Sequence, residues 1–387
     1  MRALALNAGS STVKAALYEV GPEAALARPA PPRWRAQVDW DSGEAPRGAV
    51  RRLLDGLWRG GSAVLRGPGD VDVVGHRVVH GGEQYRAPTR VTGEVKERIG
   101  ALTASAPLHN RAALGAIEAA EQLLGPGVPH VATFDTAFHA DLPREAYTYA
   151  GPHDWVDAGL RRYGFHGLSH EYVANRAALL LGRHLAGLRL ISCHLGSGCS
   201  LAAVRGGRSV DTTMGFTPLE GPAMATRSGS VDPGLLIHLL RSSKSTPDSL
   251  DQLLNHRAGL AGLTAGSGDM RDVLAARARG DDRATLAFDV YVHRLRRCLG
   301  AMLASLGGLD AVAFTGGVGE RADAVRAAAL EPFAFLGVSV DAERNRASLA
   351  EADIATSESD VRILLIPARE DWAIAVGSAR LLARAPA

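Results

Sequence analysis

Ala3-Leu4-Ala5-Leu6-Asn7-Ala8-Gly9-Ser10-Ser11-Thr12 runs from an apolar stretch into a turn of small polar residues, and residues 13–20 return as a second apolar stretch. Apolar runs flanking a Gly, Ser and Asn cluster read as a β-hairpin whose tip is free to do chemistry. The pattern recurs. Residues 188–193 form an apolar strand, His194-Leu195-Gly196-Ser197-Gly198 a turn, residues 199–204 the return strand and 208–212 a third strand. Each hairpin is followed by alternating helices and strands. The periodicity predicts further strands at 34–40, 71–74, 129–134, 311–314 and 362–366, and helices at 49–65, 110–124, 232–241, 249–255, 269–279, 282–306 and 371–385. Two such passes predict a duplicated α/β unit with a cleft between the halves.

At 387 residues the chain is long enough for two domains, and 46% hydrophobic against 22% charged residues is a globular composition. The net charge is +2, from 43 basic and 41 acidic residues, so no electrostatic footprint for nucleic acid or an anionic membrane is present. No apolar run reaches the roughly 18 residues that span a bilayer, and the opening apolar patch ends at Asn7, too short for a signal-peptide core. A cytoplasmic protein is expected. Cys193, Cys199 and Cys298 are odd in number and lack CxxC spacing, which argues against a disulfide framework or a cysteine zinc site. Lysine occurs only at Lys14, Lys96 and Lys244, so Lys14 beside the first turn stands out.

Three glycine-rich turns follow apolar strands: Gly9-Ser10-Ser11-Thr12, His194 to Gly198, and Thr315-Gly316-Gly317-Val318-Gly319-Glu320. Backbone N–H groups in such turns can cradle phosphate. A plain tight turn is the simpler account of any one alone, but three in corresponding positions of a duplication favour phosphate. None has P-loop spacing, and no GxGxxG is present. Arg77, expected just past the strand at 71–74, and Arg227, in Met224-Ala225-Thr226-Arg227-Ser228-Gly229, suit carboxylate or phosphoryl oxygens, with a structural ion pair as the alternative. Asp135 and Glu370 end strands and could hold Mg²⁺, directly or through water, whereas Asp371 reads as a helix N-cap. His166, followed by Gly167 and two residues after Gly164, is the better candidate to face a ligand, and His170 reads as a satisfied loop histidine. Asp269 and Arg271 could clamp a nucleotide or simply cap a helix.

These stretches, together with Gly75-His76-Arg77-Val78-Val79-His80-Gly81-Gly82-Glu83, Ala106-Pro107-Leu108-His109-Asn110, Phe134-Asp135-Thr136-Ala137-Phe138-His139, Arg162-Tyr163-Gly164-Phe165-His166-Gly167 and the long run of residues 209–221, resemble the acetate kinase family over nearly the whole chain. The resemblance implies two duplicated actin-like ATPase domains of the ribonuclease H-like kind around a nucleotide cleft. It places the first domain at 1–137 plus 371–387 and the second at 138–370. It further implies a homodimer, Mg²⁺ or Mn²⁺, and the reaction ATP + acetate ⇌ ADP + acetyl phosphate. Propionate or another short-chain carboxylate as acceptor, and a non-catalytic actin-like nucleotide-binding protein, are the alternative readings.

Carried over residue by residue, the family pattern makes Asn7 and Glu370 the metal pair. Lys14, His194, Leu195, Gly196, Ser197 and Gly198 become phosphate contacts, and Asp269, Met270, Arg271, Gly317, Val318, Gly319, Glu320 and Arg321 the adenosine side. Arg77 and Arg227 resemble the carboxylate and phosphoryl arginines, Asp135 the essential aspartate and His166 the transition-state histidine. Val79, Leu108, Phe165 and Pro218 resemble the methyl pocket. Thr12, Leu168, Ser197, Arg321 and Ala368-Arg369 depart from the usual Ser, Thr, Asn, Asn and Thr-Asn, and none of them removes a residue assigned to the chemistry.

Overall fold

The computed structural model describes residues 1–9, 12–39, 46–61, 63–104, 107–242, 245–347 and 350–384, apart from the side chains at 46, 104 and 107–109. Ser10 and Ser11 of the first turn, and the Leu108 side chain, thus lie outside the described residues. The chain divides into two compact units. One comprises residues 1–140, 165–176 and 369–387, and the other residues 141–164 and 177–368.

The first unit is built on a six-stranded sheet of β1 (Arg2–Ala8), β2 (Thr12–Glu19), β3 (Trp34–Asp39), β4 (Val73–Val78), β5 (Thr89–Arg90) and β6 (His130–Phe134), in the order β3-β2-β1-β4-β6-β5. β1 and β2 form the predicted hairpin, with Asn7 opposite Lys14. Alternation decides the two faces. Leu4, Leu6, Val13, Ala15, Leu17 and Val74 pack in one buried cluster with Leu53 and Leu57 of the helix Pro46–Trp58 and with Ala116, Ala120 and Leu124 of the helix Pro107–Leu124. The other face is covered by the C-terminal helix Glu370–Arg384.

The second unit repeats this plan with β7 (Arg189–Leu195), β8 (Cys199–Arg205), β9 (Arg208–Thr212), β10 (Ala311–Thr315), β11 (Ala352–Asp353) and β12 (Arg362–Leu365). Its order, β11-β12-β10-β7-β8-β9, is the first sheet's order read from the other edge: an antiparallel triple, two parallel strands and a short antiparallel edge. The duplication expected from the two hairpins is therefore present strand for strand. The helix Asp282–Leu306 packs on this sheet. It buries Ala284, Phe288, Tyr291, Val292, Leu295, Leu299, Met302 and Leu306, a stripe at three- and four-residue spacing. The Asp281 carboxylate caps its start by accepting from the Ala284 N–H at 2.8 Å, and Gly307 ends it at φ 65°.

Several boundaries differ from the sequence expectation. β4 runs through His76 and Arg77 to Val78, so Arg77 stands within the strand, not past it. The glycine-rich segment after β10 is the short helix Gly316–Arg321, not an open turn. Asp371 lies inside the C-terminal helix, whose first residue is Glu370, so it is not the N-cap; its carboxylate instead pairs with Arg35 at 2.5 Å. The helices Gly93–Ala101, Gly167–Leu180 and Asp323–Leu330 and strands β5 and β11 have no counterpart in the sequence reading, and His170 lies within the second of these helices, not in a loop. Both strands are two residues long, too short for a periodic signal.

Candidate functional site

In the first unit β1, β4 and β6 are parallel, with Leu6 beside His76 and Val78 beside Phe134. Their carboxyl ends therefore lie together, and these ends carry Asn7, Arg77 and Asp135. This is the edge of a parallel sheet where ligands bind. Arg77 donates to both Asp135 oxygens, Nε to Oδ1 at 2.9 Å and Nη2 to Oδ2 at 2.6 Å. Arg77 Nη1 donates to Asn7 Oδ1 at 3.3 Å, and Asn7 Nδ2 donates to Glu370 Oε2 at 3.2 Å, which stands 3.9 Å from Arg77 Nη1. Four of the sequence-predicted residues thus form one hydrogen-bonded group. Burial disfavours the Arg77 charge, but the facing Asp135 and Glu370 carboxylates outweigh it and hold the guanidinium protonated well above its ordinary range. Burial pushes the Asp135 carboxyl up, and Arg77 opposes that push.

The segment after Asp135 is tied to the segment carrying His166. The Gly167 N–H donates to the Asp135 carbonyl at 2.9 Å, and the His166 backbone N–H bonds the Asp135 carboxylate. His166 has φ 56°, a left-handed backbone uncommon for a non-glycine residue. His139 Nε2 lies 3.1 Å from the Phe165 carbonyl oxygen, and the His80 ring meets Phe165 edge-on at 5.5 Å. Val79 and Phe165 of the expected methyl pocket are both buried. Lys14 points outward from β2.

In the second unit His194 and Leu195 end β7, and residues 196–198 form the tip of the β7–β8 hairpin, closed by Gly196 N–H to the Gly198 carbonyl at 2.9 Å. The Ser197 carbonyl accepts from the Ala225 N–H at 3.1 Å, which links the tip to the loop carrying Arg227. Arg227 Nη1 donates to the Pro218 carbonyl at 3.4 Å. Asp269 is the N-cap of the helix Met270–Ala278, accepting from the Arg271 N–H at 2.9 Å, and it also pairs with the exposed Arg271 guanidinium. Asp269 thus caps the helix start, and Met270 beside it is buried. Gly317, Val318, Gly319 and Arg321 belong to the short helix after β10. Glu320 Oε1 accepts from the Gly316 N–H at 3.1 Å and the Ala368 N–H at 2.9 Å, so this carboxylate joins the ends of β10 and β12.

One residue here has no motif. Arg326, 1% exposed, donates from Nη1 to the Gly319 carbonyl at 2.9 Å and from Nε and Nη2 to Asn345 Oδ1 and O at 2.8 and 2.7 Å. A single arginine in an alanine-rich helix carries no sequence signal, yet it fixes the backbone of the glycine-rich segment.

The model of the acetokinase family matches residues 33–376. This chain belongs to the acetokinase family. A relative from Gloeobacter violaceus named acetate kinase is 53% identical over 396 residues, covering 97% of this chain and 98% of the relative. Among solved structures, Porphyromonas gingivalis acetate kinase superposes with a TM-score of 0.87 at 36% identity, covering 98% of this chain and 99% of that one. A propionate kinase from Francisella tularensis superposes with a TM-score of 0.86 at 33% identity, over 97% and 98% of the two chains. The family match and these superpositions establish the actin-like ATPase fold that the family resemblance implied.

Magnesium suits hard oxygen donors and is usually held by one or two carboxylates together with substrate phosphates. Glu370 supplies a carboxylate of that kind, whereas Asn7 gives its amide oxygen to Arg77 Nη1 at 3.3 Å and its NH₂ to Glu370 at 3.2 Å, so it would offer an oxygen to an ion only with its amide turned over. Among the described residues no three His, Cys, Asp or Glu side chains cluster as an all-protein metal cage.

Proposed function

We propose that this chain transfers the γ-phosphoryl group of ATP to acetate, reversibly, giving acetyl phosphate and ADP. The observation that carries the reading is the hydrogen-bonded Arg77–Asp135–Asn7–Glu370 group, half-buried around a fully buried Asp135, at the carboxyl ends of a family-type sheet. Acetate is already an anion at neutral pH, so the acceptor needs no general base. What the reaction needs is relief of the repulsion between two anions that must meet in line. Mg²⁺, or Mn²⁺ in its place, held by Glu370 and Asn7, supplies phosphate charge neutralisation when bound with ATP. Arg77 binds the acetate carboxylate, and Arg227 and His166 neutralise the phosphoryl group in transit. With both oxygens on Arg77, Asp135 acts by locking that guanidinium in one orientation, and it takes no proton from acetate. Lys14, residues 194–198, 269–271 and 317–321 serve the nucleotide. The same reading has the protein acting as a cytoplasmic homodimer, without nucleic-acid or membrane partners.

A second reading, a short-chain carboxylate kinase that prefers propionate, is favoured by the superposition on a propionate kinase. Chain length separates the two. Val79, Leu108, Phe165 and Pro218 are apolar and none is a small residue, so in a closed pocket an added CH₂ should meet overpacking of about 1–3 kcal/mol where an open pocket would yield a gain of about 0.8 kcal/mol. Trapping the acyl phosphate with hydroxylamine should show kcat/KM falling from acetate to propionate to butyrate, with Val79→Ala narrowing the gap. Propionate faster than acetate would establish the second reading. No acyl phosphate from any acid would leave a non-catalytic nucleotide-binding protein.

A further inference from the structure

The run of residues 212–221 carries Pro218. The Thr212 hydroxyl donates to the Leu201 carbonyl at 2.8 Å and the Thr213 hydroxyl accepts from the Leu201 N–H at 2.9 Å, tying down its start. Tyr149 and Arg162 of an earlier segment, together with the run's own Glu220, clamp the rest. Arg162 Nη1 donates to the carbonyls of Thr212, Thr213 and Met214 at 3.0, 3.1 and 3.1 Å, and Arg162 Nη2 donates to Glu220 Oε1 at 2.8 Å. The Tyr149 hydroxyl donates to Glu220 Oε2 at 2.6 Å and accepts from the Phe216 N–H at 2.9 Å. Tyr163 N–H donates to the Gly215 carbonyl at 3.0 Å. One loop is thus gripped at both ends and in its middle by Tyr149, Arg162 and Glu220. A Cβ on Gly215 would run into the Glu220 carboxylate and the Tyr149 hydroxyl, so only glycine leaves the clamp room to close.

The loop's Pro218 carbonyl in turn receives Arg227 Nη1 at 3.4 Å. We infer that Tyr149, Arg162 and Glu220 are positioning residues that set Arg227 and the Pro218 side of the methyl pocket through the loop 212–221. The inference rests on the proposed roles of Arg227 and Pro218. Arg162 is suited to the task because its planar fork turns one nitrogen to the loop carbonyls and the other to the Glu220 carboxylate. Like Arg162, Tyr149 bonds both the Glu220 side chain and the loop backbone, and it does so through a single hydroxyl. Burial, and then Glu220, push its phenol well above the ordinary range, so it remains a neutral donor.

Tyr149→Phe is the discriminating variant, because it removes only the bridging hydroxyl. It should lower kcat about tenfold, as expected for losing one hydrogen bond of a coupled network, leave the ATP KM unchanged and reduce the preference for acetate over propionate. Glu220→Gln should do the same more weakly. In an Arg227→Ala background Tyr149→Phe should add no further loss in kcat, since the clamp acts through Arg227. Wild-type kcat and acid preference in both Tyr149→Phe and Glu220→Gln, with Arg227→Ala crippled, would overturn the clamp alone. Additive losses in the double variant would overturn it as well. Full kcat in Arg227→Ala would overturn the proposed role of Arg227, and the clamp with it. A lowered unfolding midpoint with unchanged kcat and unchanged discrimination would mean a purely structural role.

Discussion

The Arg77–Asp135 pair shows how one contact can serve both stability and chemistry. Asp135 is fully buried and Arg77 is 17% exposed at its side chain, so each charge is tolerated because the other faces it through two hydrogen bonds. Asp135→Asn keeps the shape and removes the charge, leaving a buried guanidinium short of its counter-ion. It should lower the unfolding free energy by about 3 kcal/mol, the lower end for breaking a buried pair, and raise the acetate KM. Urea unfolding at wild-type stability would show that the pair is dispensable to the fold. Glu370 sits at the rim of the same group. Glu370→Ala should shift the Mg²⁺ titration of activity more than the acetate KM, and an unmoved Mg²⁺ titration with a weakened acetate KM would place Glu370 on acetate instead.

Among the elements, the C-terminal helix has most to do with placing these residues. It lies on β1, β4 and β6, and its first residue is Glu370. The fit is close at Gly75, where a Cβ would overlap Ser378 Oγ and Ile374 Cγ2. The Ser378 hydroxyl is committed by donating to the Ile374 carbonyl at 2.8 Å, so it cannot swing away freely. Gly75→Ala should therefore cost about 1–3 kcal/mol through overpacking and displace the helix start enough to weaken metal-dependent activity. A thermal midpoint and activity equal to wild type would mean that the helix shifts without consequence. The short helix Gly316–Arg321 shows the same logic in the second unit: Arg326 and Glu320, neither next to the strand end, hold its backbone in place.

At the scale of the whole chain, stability should depend on pH through buried histidines. His76 Nε2 and His130 Nδ1 lie 2.8 Å apart with stacked rings on neighbouring strands, and His80 is buried after β4. Burial pushes His80 and His130 down to about 4, and His76 is also held well below its ordinary value by burial and then by His130. In the unfolded chain each titrates near 6.5. Above that pH both states are neutral and the stability is fully present. Between about pH 6.5 and 4 the unfolded chain takes up protons that the folded one refuses, so stability falls by about 1.4 kcal/mol per pH unit for each such histidine. Urea midpoints measured at pH 7.5, 6 and 5 should decline over this window. A flat profile would mean that the folded protein accepts those protons.

What could be read along the chain is what depends on near neighbours. Alternation and turn chemistry specified both hairpins, and the spacing of apolar residues specified the long helix Asp282–Leu306 to the residue. The motifs pointed to Asn7, Arg77, Asp135 and Glu370 without indicating which would touch. That pairing joins residues 58, 70 and 363 positions apart, and it follows from the parallel register of β1, β4 and β6 and from the seat of the C-terminal helix. Arg77 was expected beyond its strand because a Gly-His-Arg sequence ends an apolar run, but pairing with β6 extends β4 to Val78. Tyr149, Arg162 and Arg326 became visible as anchors only in three dimensions. Their hydrogen bonds go largely to backbone carbonyl and N–H groups, which are the same in every residue, so no pattern of side chains announces them.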